Sequence, residues 1–147
     1  MDRRMKLNYA AIVVAGLVYW FIQAGWYTVL GQRWMAALGK TMADLQPKGN
    51  PAIPYVGSLI CDIIVACVLA WVLARLGEPS ARKGATLGAA LSLGFVATIL
   101  MTNYLFEQRP ISLFLINAGS ALVGTTAAGA VVGAWKVKES KAATAAA

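Results

Sequence analysis

Long apolar runs separated by short polar punctuation set the pattern of this chain. Four runs stand out, Leu7–Leu30, Ile53–Leu76, Gly84–Leu105 and Ile111–Trp135. Each reaches the ~20 residues that a helix needs to cross a ~30 Å hydrocarbon core. The pattern predicts an all-α integral membrane four-helix bundle, built as two antiparallel transmembrane hairpins in a single domain over residues 1–136. The punctuation differs in kind. Gly77-Glu78-Pro79-Ser80 is a plain turn, and Phe106–Pro110 is short enough to close a tight hairpin. Between the first two runs, Trp34, Met35, Leu38, Met42 and Leu45 fall at helix-like spacing. That spacing predicts an amphipathic segment over 31–52 lying on the membrane surface, with Thr41 and Asp44 as its capping pair. The basic, alanine-rich residues 137–147 read as a disordered tail.

Within the runs, small and weakly polar residues recur every fourth position. Lipid is as apolar as leucine, so such stripes mark the faces on which membrane helices meet. They run through Asn8, Ala11, Ala15, Tyr19 and Gln23 in the first run and Ser58, Asp62, Ala66, Ala70 and Ala74 in the second. The third offers Ala90, Gly94, Thr98 and Thr102, and the fourth Asn117, Ser120, Ala121, Gly124, Thr125 and Ala128. Gly84–Gly88 and Gly129–Gly133 permit close backbone approach. The stripes also place polar groups at a common depth. Gln23, Asp62, Thr102 and Asn117 all fall in the outer half of the membrane, with Asn103, Glu107, Arg109 and Arg33 just above them.

Composition strengthens the membrane reading. Of 147 residues, 59% are hydrophobic and 13% charged, where a soluble chain carries about a quarter charged residues. The net charge of +7 does not point to nucleic acid, because the basic residues flank apolar runs instead of forming a basic face with interleaved aromatics. Arg3, Arg4, Lys6, Arg75, Arg82, Lys83, Lys136, Lys138 and Lys141 fall on the side of the termini. Arg33, Lys40, Lys48 and Arg109 fall on the other. That bias places both termini in the cytoplasm.

Several chemistries are disfavoured. Histidine is absent, so the serines have no imidazole to activate them, and Cys61 and Cys67 alone make no zinc or haem site. No enzyme activity, catalytic residue, metal or cofactor is expected. What remains is the polar level: Asp62, Asn103, Asn117, Gln23 and Thr102 as a tentative ligand or ion site, with Glu107, Arg109 and Arg33 as a charged rim. Two readings stay open for Asp62. It is a cation- or proton-linked carboxyl, or it is a structural partner for Arg109 or Arg33 reaching down from the interface.

Gly25-Trp26-Tyr27 with Gly31-x-x-Trp34-Met35, and Thr102 to Pro110 continuing through Leu113-Phe114-Leu115-Ile116-Asn117-Ala118-Gly119, carry a resemblance. Together they resemble a bacterial membrane family, domain of unknown function 1761, along nearly the whole chain. The resemblance implies a small four-span protein of the bacterial cytoplasmic membrane, and it brings no activity, substrate or cofactor. In that family an aromatic residue and a histidine often follow the fourth-helix glycine, where this chain has Ser120 and Ala121. The expected function is permeation of a small solute or ion, by a homo-oligomer in the lipid bilayer. The alternative is a non-transporting structural or assembly module, whose protein partner the sequence does not name.

Overall fold

A computed structural model describes residues 7–135. The basic residues 3, 4, 6, 136, 138 and 141 and the tail over 137–147 lie outside them. Within the described residues the chain is all-α. Helix α1 spans Tyr9–Leu38, α2 Ala52–Arg75, α3 Ala81–Phe106 and α4 Ile111–Ala134. All four are long and apolar enough to cross a membrane.

Helix ends follow local chemistry. Asn8 caps α1 by accepting the Ala11 N–H at 3.1 Å, and Ser80 caps α3 by accepting that of Lys83 at 3.2 Å. Pro110 leads into α4 with its φ already set at −66°. The first run does not stop at Leu30. Gly31 alone cannot break a helix, so α1 continues through Trp34 and Met35 to Leu38. There Gly39 turns left-handed (φ 67°), its N–H bonds the Ala36 carbonyl, and the Lys40 N–H bonds that of Met35. Residues 31–38 therefore extend α1, and those after Gly39 form turns, in place of a separate surface helix. Thr41 and Asp44 do pair, as expected, but they close a turn. Asp44 Oδ2 accepts the Thr41 N–H at 2.8 Å and its hydroxyl at 2.6 Å.

Helix α4 is the centre of the bundle, with ten buried residues along its length, and the other three helices pack around it. Its approach to α3 is backbone on backbone. A Cβ on Gly84 would collide with the Gly129 carbonyl, one on Gly88 with the Thr125 carbonyl, and one on Gly133 with the Ser80 carbonyl. Thr125 Oγ1 adds a hydrogen bond to the Gly88 carbonyl at 3.1 Å. Small residues at these positions let the helices meet where branched ones would hold them apart. Against α1, Gly124 accommodates the Tyr19 ring and Gly119 the Trp26 indole. Large apolar side chains cover the outside, including Phe21, Ile60, Phe95 and Phe106. Lipid accounts for such a surface.

Helix α3 departs from its expected face. Ser92–Ala97 is π-helical, which adds a residue to the turn and rotates everything beyond it. Gly84, Gly88 and Ser92 are buried, whereas Ala90, Gly94, Thr98 and Thr102 are exposed on the outside of the bundle. The Thr98 and Thr102 hydroxyls turn back to carbonyls of their own helix, Gly94 and Thr98, at 2.8 and 2.9 Å.

Candidate functional site

The polar residues divide into two clusters toward the bundle end that carries the Glu107–Pro110 turn. In the first, α1 meets α2. Gln23 Nε2 donates to Asp62 Oδ1 at 3.3 Å, and Tyr19 stands beside the pair. Asp62 is 4% exposed, and its second oxygen, Oδ2, has no hydrogen-bond partner among the described residues. The carboxyl lies ~15 Å along α2 from Ala52, at ~1.5 Å per residue.

In the second cluster, Asn117 on α4 ties three helices. Its Oδ1 accepts from the Tyr27 hydroxyl at 2.8 Å, and its Nδ2 donates to the Tyr104 oxygen at 2.8 Å. A neighbouring indole reinforces the α1–α4 contact, with Trp26 Nε1 donating to the Ile116 carbonyl at 3.0 Å. On the α1–α2 side Trp20 Nε1 reaches both Ser58 Oγ, at 3.0 Å, and the Tyr55 carbonyl, at 3.1 Å.

Of the residues read from the sequence, Gln23 and Asp62 come together, and Asn117 sits nearby with partners of its own. Thr102 and Asn103 do not join them. The π-helical turn swings both to the outside of α3, beside an open groove of about 320 Å³ that they share with Thr98 and Ile99. The rim also differs. Arg109 Nε is held by Glu107 Oε2 at 3.0 Å, an exposed pair, and Arg33 is exposed near the end of α1. Neither is a partner of Asp62, whose one side-chain hydrogen bond comes from Gln23. An arginine two residues from a glutamate in a tight turn finds the near acid before the distant one.

Tyr27 and Tyr104, read from the sequence as aromatics of the outer interface, are here hydrogen-bonding members of the cluster. The signal for Tyr27 was in the chain: Tyr19, Gln23 and Tyr27 recur every fourth residue and share one face of α1. Ser120 belonged to the fourth-helix stripe but not to the expected site, and it is 2% exposed with its hydroxyl unpartnered among the described residues.

Fold and site together define a class: an all-α protein of four helices fit to span a membrane, with a carboxyl and an amide network buried between them. The family described as "Protein of unknown function (DUF1761)" matches residues 10–133, which cover nearly all four helices. The chain belongs to that family. No curated protein and no solved structure matches it.

Proposed function

We propose that the protein lets a small solute or ion cross the membrane at the level of Asp62. In this reading it is a multi-pass protein of the bacterial inner membrane with cytoplasmic termini. The lysine and arginine bias of the sequence supports that orientation. Copies of the chain associate, because the paired side chains between these helices leave little pathway within one of them.

One observation carries the reading. Asp62 is buried, one of its oxygens is held by a neutral amide, and the other has no partner among the described residues. An ionisable side chain inside a membrane bundle is costly, and such residues mark ion and substrate pathways. The test is flux into liposomes carrying the purified protein, with wild type and Asp62→Asn compared across candidate ions and small polar solutes. Wild-type flux above empty liposomes that falls in Asp62→Asn supports the reading, and flux equal in the two proteins removes it.

A second reading has an observation of its own. Asn117 satisfies Tyr27 and Tyr104 with both ends of its amide, which is what a group that only fixes helix packing would do. A non-transporting structural module predicts that Asn117→Ala lowers thermal stability in detergent and that no flux is present to change.

A further inference from the structure

The buried polar side-chain atoms without a hydrogen-bond partner among the described residues are Asp62 Oδ2, Ser120 Oγ and Ser92 Oγ. They stand on three different helices, and the packing register brings them to one level. Between α1 and α4, Tyr27 pairs with Asn117 and the Tyr19 ring lies on Gly124. Gln23, midway between those tyrosines, therefore stands opposite Ser120 and Ala121. The same Gln23 donates to Asp62 on α2. Between α3 and α4, Gly84 meets Gly129 and Gly88 meets Thr125, so Ser92, one turn further, falls at the level of Ala121. Helix rise agrees, with Asp62 ~15 Å from the start of α2 and Ser120 ~14 Å from that of α4.

Orphaned acceptors in a dry interior are costly, and a carboxylate oxygen without a counter-charge is the costliest. Ser120 does not satisfy Asp62 directly, since no hydrogen bond joins them. A water between them would complete the hydrogen bonds and leave the charge uncompensated. A cation would answer both. The ligand chemistry is oxygen from one carboxylate, one hydroxyl and the Gln23 amide, and among the described residues no set of three His, Cys, Asp or Glu gathers to hold a metal. Hard, oxygen-seeking cations suit such ligands, and a single carboxylate balances a single positive charge.

We propose that Asp62, Ser120 and Gln23 form a buried site for one monovalent hard cation of the sodium class. This deepens the proposed function, since it names what the Asp62 level binds. Asp62 supplies the charge, and Ser120 and Gln23 supply neutral oxygens from the flanking helices.

The test is thermal unfolding of the purified full chain in detergent, in sodium chloride and in choline chloride at equal ionic strength. Sodium should raise Tm saturably in wild type and in the exposed-face control Thr98→Ala. Asp62→Asn and Ser120→Ala should lose the rise. Equilibrium binding of radioactive sodium checks the same loss without relying on the stability of the variants, and Ser120→Thr, which keeps the hydroxyl, should retain binding. Equal Tm in the two salts, a Tm that follows pH but not sodium, or sodium binding that survives in Asp62→Asn or Ser120→Ala overturns the site. Sodium binding without flux in liposomes removes the permeation reading and leaves the site. Solute flux without a sodium response does the reverse.

Discussion

Thr125 Oγ1 donates to the Gly88 carbonyl across the α3–α4 contact, at 3.1 Å, where the two backbones are close enough to exclude a Cβ at Gly88. A hydroxyl can reach a carbonyl on another helix only because glycine has opened the way. The same relation makes the helix pair sensitive to single methyl groups.

Gly84→Ala and Gly129→Ala should each destabilise the protein by roughly 1–3 kcal/mol, the range for an overpacked contact, because the added Cβ meets backbone. Gly94→Ala, on the same helix, meets nothing within 4 Å and should leave Tm unchanged or raise it by the ~1 kcal/mol that alanine gains over glycine in a helix. Thermal unfolding in detergent reads both. A Gly84→Ala protein as stable as Gly94→Ala would contradict the packing described.

Asn117→Ala leaves the Tyr27 and Tyr104 hydroxyls without their partner. Interhelical hydrogen bonds in membranes average ~0.6 kcal/mol, so losing two should cost about 1–2 kcal/mol. Tyr104→Phe should cost about half as much. A double-mutant cycle between Asn117→Ala and Tyr104→Phe should show coupling, and additivity would mean that the two side chains do not interact.

Gln23→Ala removes the one side-chain donor to Asp62 and should cost about 1–3 kcal/mol for a buried acceptor left unsatisfied. Combining it with Asp62→Leu, which removes the charge as well, should recover part of the loss. Detergent stability of the double variant no better than that of Gln23→Ala would argue that Asp62 is not buried beside it.

The Asp44 carboxyl is held below the usual carboxylate range, first by the Thr41 hydroxyl and then by the Thr41 N–H. A depressed folded value means that this turn is tightened above the ordinary carboxylate pKa and loosened as pH falls through the lowered one. Amide exchange at Thr41 should therefore accelerate on acidification, beyond the intrinsic trend, in wild type and not in Asp44→Asn.

Gln108 holds a left-handed φ of 55° in the turn between α3 and α4. Gln108→Gly relieves a conformation that costs an L-residue roughly 1–2 kcal/mol and should raise Tm, unless the turn itself rearranges. A falling Tm would show that the side chain contributes something the backbone does not require.

By itself the sequence determined the four helices, their order and the positions where their backbones approach, because length, apolarity and glycine spacing are local properties of the chain. Gly84–Gly88 and Gly129–Gly133 were legible in that way, and so was the meeting of Gln23 with Asp62 at one depth. Only the tertiary structure decided which way the outer half of α3 faces. A π-helical turn at Ser92–Ala97 depends on how that helix docks on α4, and four-residue spacing cannot register it; Thr102 and Asn103 left the site for that reason. It also decided that Arg109 turns to Glu107, which is the nearer acid, and that Tyr27, Tyr104 and Ser120 stand where Asn117 and Asp62 are. Partners in a bundle come from helices far apart in the chain, and their register is set by how closely the small residues allow those helices to pack.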